Sequence, residues 1–373
     1  MNNPIIRAEK KPVANPGTQY LPPDIGAAEK AWNAEYVGTA AKVLFETMGR
    51  RMRSWGQPYA HFAAFTQSSG TGKSRAVDEL AKEVFCIPVR VGVTAGHAYP
   101  PQDLDCANWL LQHVHVSQDS FQKAVQAWLY ATFHEARTVL QETILPRVRS
   151  PFGPDRVKEI ARMFKDEMNK DMKYGEHGEF RKRFYGDVKK RAECIFETCN
   201  VLPLRNRCPT REVAVQAEDG ASDHIETVYD AAKAFVELLY THVDDVEGFK
   251  FQEPLVILCF DEAHELTTSE TDRGIYIWTR FEELRRACSI FVGLPIFTLF
   301  VSTVGKVELE PFAPLLGQSS SSRLAPWVFT THAPIVAMPL DVLAERFPLS
   351  SEDPWTLGRA ASTHHMAHLG RPL

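Results

Sequence analysis

The stretch Ser68-Ser69-Gly70-Thr71-Gly72-Lys73-Ser74 follows the apolar run Phe62–Phe65 and carries the residue types of a phosphate cradle. A small-residue loop closing in Gly-Lys-Ser at the head of a helix turns backbone N–H groups toward an anion. In such a loop Lys73 reaches the β/γ-phosphate oxygens and the Ser74 hydroxyl sits on Mg²⁺. Ser68, Ser69, Gly70, Thr71, Gly72, Lys73, Ser74 and the adjoining Arg75 are therefore the expected nucleotide-binding residues. One position departs from the motif. Gln67 stands where the first glycine belongs, and glycine is used there for its backbone freedom. Gly70 and Gly72 retain that freedom, so an altered start of the loop with intact phosphate binding is expected.

A phosphate loop needs acids, and Leu255-Val256-Ile257-Leu258-Cys259-Phe260-Asp261-Glu262 supplies them at the end of a continuous apolar run. Mg²⁺ takes few protein ligands and prefers carboxylate and hydroxyl oxygens, which assigns Asp261 to the metal together with Ser74. Glu262, one residue on, is placed to orient or deprotonate an attacking water. A second apolar run, Ile296–Val301, ends in Ser302-Thr303, either of which could sense the terminal phosphate. Arg280, Arg285, Arg286 and Arg323 are candidates for a charge-stabilising arginine, although Arg285 and Arg286 also suit the last turn of a helix. His264 completes a helicase box by letters, Asp261-Glu262-Ala263-His264. No second helicase half and no arginine-rich box follows it, so His264 reads as a helix-start polar group or a relay.

The elements that must hold these groups follow from periodicity. Helical spacing runs over 29–57, a strand over Tyr59–Phe65, a helix over Lys73–Val84 and a strand over Phe85–Val93. Tyr99-Pro100-Pro101 breaks the chain, and the helical pattern resumes from Leu104 to about Ile144. Residues 147–193 carry 14 Lys/Arg against 9 Asp/Glu. They read as a solvated helical insertion with turns at Gly153-Pro154 and Tyr174–Gly178; a face for nucleic acid or an acidic partner is the alternative. An amphipathic helix covers Asp223–Val243, and another, Ile275–Cys288, follows the Asp261 strand.

Composition narrows the class. At 373 residues with a net charge of −5, the chain can bury a large core and shows no strong bias toward polyanions. No run is long enough to span a bilayer and no secretory leader is visible, so a cytoplasmic or nuclear protein is expected. Seven scattered cysteines suit a reducing compartment, and Cys194, Cys199 and Cys208 lack the spacing of a zinc site.

In this order, Gly72-Lys73-Ser74, Asp261-Glu262 and Ser302-Thr303 resemble the P-loop ATPases with an added catalytic glutamate, which include the AAA and STAND groups. More closely, Gln67–Ser74, the Tyr99-Pro100-Pro101 break, Cys259–His264 and Phe300–Lys306 look like a group of uncharacterised fungal P-loop proteins. These have some likeness to the ATPase module of Crinkler-type proteins. The resemblance covers about residues 59–310. The expected fold is α/β: a three-layer P-loop NTPase with a mainly parallel sheet. A disordered arm (1–28) would precede the NTPase domain (29–340, with a helical insertion at about 104–245), and a C-terminal tail (341–373) would follow. Chains of that kind continue past a Gly-Arg-Pro-Leu segment, so the resemblance implies that Gly370-Arg371-Pro372-Leu373 closes a truncated product lacking a lid or effector region. The expected activity is ATP hydrolysis with ATP and Mg²⁺ bound, Glu262 and Lys73 catalytic, and Ser302 or Thr303 sensing. Two alternatives stand beside it: a nucleotide-dependent switch or scaffold with negligible turnover, and a nucleic-acid-stimulated ATPase. A homo-oligomer or a protein partner could supply a missing arginine.

Overall fold

Apolar runs of five to seven residues become the strands of one parallel sheet. They are β1 (Phe62–Thr66), β2 (Phe85–Arg90) and β3 (Val256–Asp261), then, after the antiparallel hairpin β4 (Ser269–Asp272) and β5 (Tyr276–Thr279), β6 (Ile296–Ser302). The order is β1-β6-β3-β2. The computed structural model describes residues 25–53, 60–68, 70–92, 99–111, 117–198, 227–242, 253–272, 276–303, 333–336 and 356. Two helices, α1 (Ile25–Asn33) and α2 (Ala40–Arg53), precede β1, and the long crossovers that parallel neighbours need carry α3 (Lys73–Leu80), α4 (Leu104–Leu111), α5 (Gln118–Val139), α6 (Pro154–Asn169), α7 (Glu179–Thr198), α8 (Val228–Tyr240) and α9 (Arg280–Cys288).

Alternation along the strands splits the interior into two cores. Phe62, Ala64, Phe85, Ile87, Val89, Val256, Leu258, Phe260, Ile296 and Phe300 pack with α4–α9. Their neighbours Ala63, Phe65, Cys86, Ile257, Cys259, Phe297, Leu299 and Val301 pack with α2 and α3. Strands buried on both faces read as unbroken apolar runs, which is why β3 and β6 stand out in the sequence. The larger core is rich in aromatic pairs. Phe85 stacks on Phe164 of α6 at 4.4 Å and meets Phe235 of α8 edge-on at 5.1 Å, while Phe260 stacks on Phe300 at 5.5 Å. Burying one such side chain is worth roughly 1.5–3 kcal/mol.

The helical insertion is therefore not merely a solvated appendage. Val157, Ile160, Phe164 and Met168 on α6, and Phe184, Tyr185, Val188 and Ala192 on α7, are buried in the same core as the sheet. Arg181 and His177 are buried with them. The outward basic residues are largely spent on acids: Arg147 on Glu167, Lys158 on Glu83, Lys165 on Asp78, Lys182 on Glu176, Lys189 on Asp105 and Lys190 on Asp187.

Several boundaries differ from expectation. The arm expected over 1–28 falls outside the described residues up to position 24, and the backbone is already helical from Ile25. The single helix expected over 29–57 is two, separated by residues 34–39, and Gly38, with a φ of 110°, keeps the chain out of the right-handed helix just before α2. The helix expected from Ile275 starts only at Arg280. Thr279 accepts from the Glu282 N–H and Glu282 reaches back to the Thr279 N–H, a capping box that forces the chain before it into β5. The start of the helix expected at Asp223 moves to Val228 for the same reason, with Thr227 and Asp230 as the box. Both sheet edges are covered. At β2 the Pro88 carbonyl accepts from Tyr185 Oη and from Arg181 Nη2 (3.0 Å). At β1 the Ile335 N–H donates to Ala64 O (2.7 Å) and the Thr66 N–H to Ile335 O (3.1 Å). Among the described residues no helix is long and apolar enough to cross a membrane.

Candidate functional site

The registers bring the carboxyl ends of four strands level. Thr66 sits beside Ser302, Val301 beside Asp261, and Asp261 beside Arg90. Ligands of open α/β sheets bind at this end. The loop after β1 turns through Gly70 (φ 75°) and Gly72 (φ 83°), left-handed positions that cost an L-residue with a Cβ roughly 1–2 kcal/mol. Gly72 then caps α3, so the first orphan N–H groups of that helix face the loop.

Lys73, 6% exposed, curls over the loop and donates through Nζ to the carbonyls of Gln67 and Ser68, both at 2.8 Å. Burial lowers its pKa, and the charges of Asp261 and Glu262 oppose that shift. Thr71 Oγ1 donates to the Ser68 carbonyl (3.0 Å). Ser74 Oγ donates to Asp261 Oδ2 at 2.8 Å, joining positions 187 residues apart. The two hard-oxygen groups that the sequence assigns to Mg²⁺ are thus adjacent, and their chemistry fits that ion. Burial pushes the Asp261 carboxyl above its ordinary value, against the pull of Arg90.

Glu262 has a left-handed backbone (φ 58°), uncommon for a residue with a Cβ, and its N–H donates to Asp261 Oδ1 (3.0 Å). Strain of this kind gathers at working sites. Its carboxylate meets three groups: His264 Nδ1 at 3.3 Å, Thr303 Oγ1 at 3.5 Å and Arg90 Nη2 at 3.8 Å. Burial would raise the Glu262 pKa, but the nearby His264 ring and the Arg90 charge outweigh it and hold the carboxyl below its ordinary value. In return, Glu262 raises the His264 pKa. So His264 is a partner of the acid.

The remaining sequence candidates separate. Thr303 reaches Glu262. Ser302 is fully buried, and its carbonyl accepts from the Gln67 N–H at 3.3 Å. Arg75 turns away from the loop, donating to Asp78 (2.8 Å) and the Ala34 carbonyl (2.9 Å) and lying over the rings of Trp32 and Tyr36. Arg280 is buried against Glu270 and the Leu110 carbonyl. Arg285 lies over Phe62, at the opposite end of β1 from the loop, and Arg286 pairs with Glu283. The contacts of all three lie with groups other than the Lys73, Asp261 and Glu262 cluster. Arg323 and Ser69 lie outside the described residues, as do Cys199 and Cys208. Cys194 is exposed and free.

Two features were missed. Gln67 is tied down: its Nε2 donates to the Val336 carbonyl, so the departure from the motif clips the 333–336 segment to the loop. Arg90, the last residue of β2, donates through Nη1 to Asp261 Oδ2 at 3.1 Å. A charge at the carboxyl end of an otherwise apolar run was the available signal. Beside Ser74 and Asp261 lies a cavity of about 50 Å³, also lined by Trp32, Asp78, Arg90 and Pro100. No protein family, curated protein or solved structure matches the chain.

Proposed function

We propose that the chain is a P-loop NTPase of three-layer α/β build that binds ATP with Mg²⁺ and hydrolyses it. The observation that carries this reading is the 2.8 Å contact between Ser74 and Asp261, with Lys73 on the same loop and Glu262 on the same strand end. Ser74 Oγ and the Asp261 carboxylate would hold Mg²⁺, which supplies charge neutralisation to the phosphates when bound. The loop N–H groups and Lys73 hold the phosphate oxygens once Lys73 exchanges the Gln67 and Ser68 carbonyls for them. Glu262, kept ionised by its neighbours, accepts a proton as water attacks the terminal phosphorus and ADP leaves. Thr303 and His264 orient that carboxylate.

Purified protein is expected to turn over ATP in Mg²⁺, and Glu262→Gln to bind ATP with turnover reduced at least about 100-fold. Wild-type protein that neither binds nor hydrolyses any nucleotide would refute the reading. One observation favours a second reading, a nucleotide-dependent switch: Arg280, Arg285 and Arg286 are all engaged away from the site. Tight ATP binding with turnover no faster than that of Lys73→Ala selects the switch.

A further inference from the structure

Three buried arginines invite comparison. Arg181 is fully invested: Nε and Nη2 grip Asp103 at 2.7 and 2.6 Å, and Nη2 also donates to the Pro88 carbonyl. Arg280 is held by Glu270 and the Leu110 carbonyl and lies over the Phe121 ring at 5.2 Å. Both are structural anchors. Arg90 differs. Its backbone is pinned on both sides, the N–H donating to Asp103 Oδ2 (2.8 Å) and the carbonyl accepting from the Asp103 N–H (3.1 Å). Its guanidinium is loosely used. Nη1 shares a single oxygen, Asp261 Oδ2, with the Ser74 hydroxyl, Nη2 stands 3.8 Å from Glu262, and Nε is buried with no acceptor. A guanidinium has five donors in a fixed fork, and an orphaned buried donor is costly. This head group is held by charge rather than by fit, on a backbone that cannot move with it.

We infer that Arg90 is the resident counter-ion of the metal site, occupying the acids in place of Mg²⁺ and yielding when the metal arrives with phosphate. The inference rests on the reading of Ser74 and Asp261 as the metal-holding pair. Nη1 lies on the very oxygen that would face the ion, so metal and guanidinium compete for it. Free metal is thereby disfavoured, because a displaced Arg90 would be left beside a divalent charge. Nucleotide removes that obstacle, since its phosphates bring new acceptors for the fork. Metal and nucleotide then enter as one unit.

The test uses Mn²⁺ as probe, titrated at pH 8 without nucleotide and read by electron paramagnetic resonance of the free ion, with circular dichroism checking the fold. Wild type is expected to bind Mn²⁺ weakly. Arg90→Met and Arg90→Gln are expected to bind it about tenfold more tightly or better. That is a conservative figure for relieving repulsion between single and double charges about 5 Å apart at an effective dielectric of roughly 20. Adding Asp261→Asn to either should abolish the gain. Arg90→Lys keeps the charge and should stay within about threefold of wild type, while Arg90→Ala supplies the loss of charge if neither longer neutral variant folds. An affinity of the neutral variants unchanged within about threefold overturns the inference. Failure of wild type to bind ATP refutes the proposed hydrolysis but leaves this metal titration standing, so the two failures are distinguishable.

Discussion

Replacing Asp103 with alanine should unfold much of what joins the helical insertion to the sheet. Its side chain is 1% exposed and that of Arg181 5% exposed. The carboxylate accepts two bonds from Arg181 and one from the Arg90 N–H, and lies 3.3 Å from His177 Nε2. Removing it strands a buried guanidinium, which costs about 3–5 kcal/mol, and orphans a strand N–H as well. Against a total stability of roughly 5–15 kcal/mol that is a large share. Arg181→Met should cost a similar amount by stranding the acid. The double variant buries neither charge, so it should be less damaged than the sum, with a coupling of about 2–3 kcal/mol. Urea unfolding of the four proteins, followed by circular dichroism, gives that coupling from the midpoints. The Asp103 carboxylate and burial act oppositely on Arg181, and the net shift raises its pKa. A raised pKa gives stability that is present below the unfolded value and lost only far above neutrality, so the arginine adds no slope near pH 7. A coupling below about 0.5 kcal/mol would refute the argument that this pair acts as one buried unit.

Other outcomes follow from the same contacts. His177 is buried beside the Arg181 charge, which pushes its pKa down to about 3. Its contribution is therefore complete above the unfolded value near 6.5 and is lost as pH falls toward 3, at up to about 1.4 kcal/mol per unit. His177→Gln should remove that slope from urea midpoints measured between pH 6.5 and 4, and an unaltered slope contradicts it. Gln67→Gly restores the motif glycine but cuts the tie to Val336. Amide exchange at Ile335, followed by mass spectrometry, should quicken about tenfold, and equal exchange rates would show that the backbone bonds alone hold the segment. Thr279→Ala should cost about 1 kcal/mol through loss of the α9 capping box, again by urea midpoint; no loss would mean that packing alone fixes the helix start.

Much of the architecture is legible because burial on two faces leaves a plain mark. β3 and β6 are continuous apolar runs, and the Gly-Lys-Ser turn between β1 and α3 announces itself. The pairing of Ser74 with Asp261 follows from their chemistry alone. What escapes is whatever depends on the partner across the fold. Arg181 looks like one more charge in a basic stretch, yet Asp103, from a distant turn, takes it inside. Arg90 acquires meaning only through its register with Asp261. Arg280 offers the charge of a catalytic arginine but spends it on Glu270. The β4–β5 hairpin is hidden because Trp278, Phe281 and Leu284 repeat at helical spacing, although the Thr279–Glu282 box marks the true start.

The strand order has a consequence for how the chain is made. β1 pairs in the sheet with β6, so about 236 residues separate Phe62 from its partner Thr298. At roughly 5–20 residues per second, ribosomal synthesis leaves β1 waiting about 12–47 s for that partner. Closing so long a loop is entropically slow. Until then Phe62-Ala63-Ala64-Phe65 lacks its strand partner, and only the helices made before β6 can cover its two apolar faces. The phosphate loop that follows β1 is thus made long before the strand that fixes its place in the sheet.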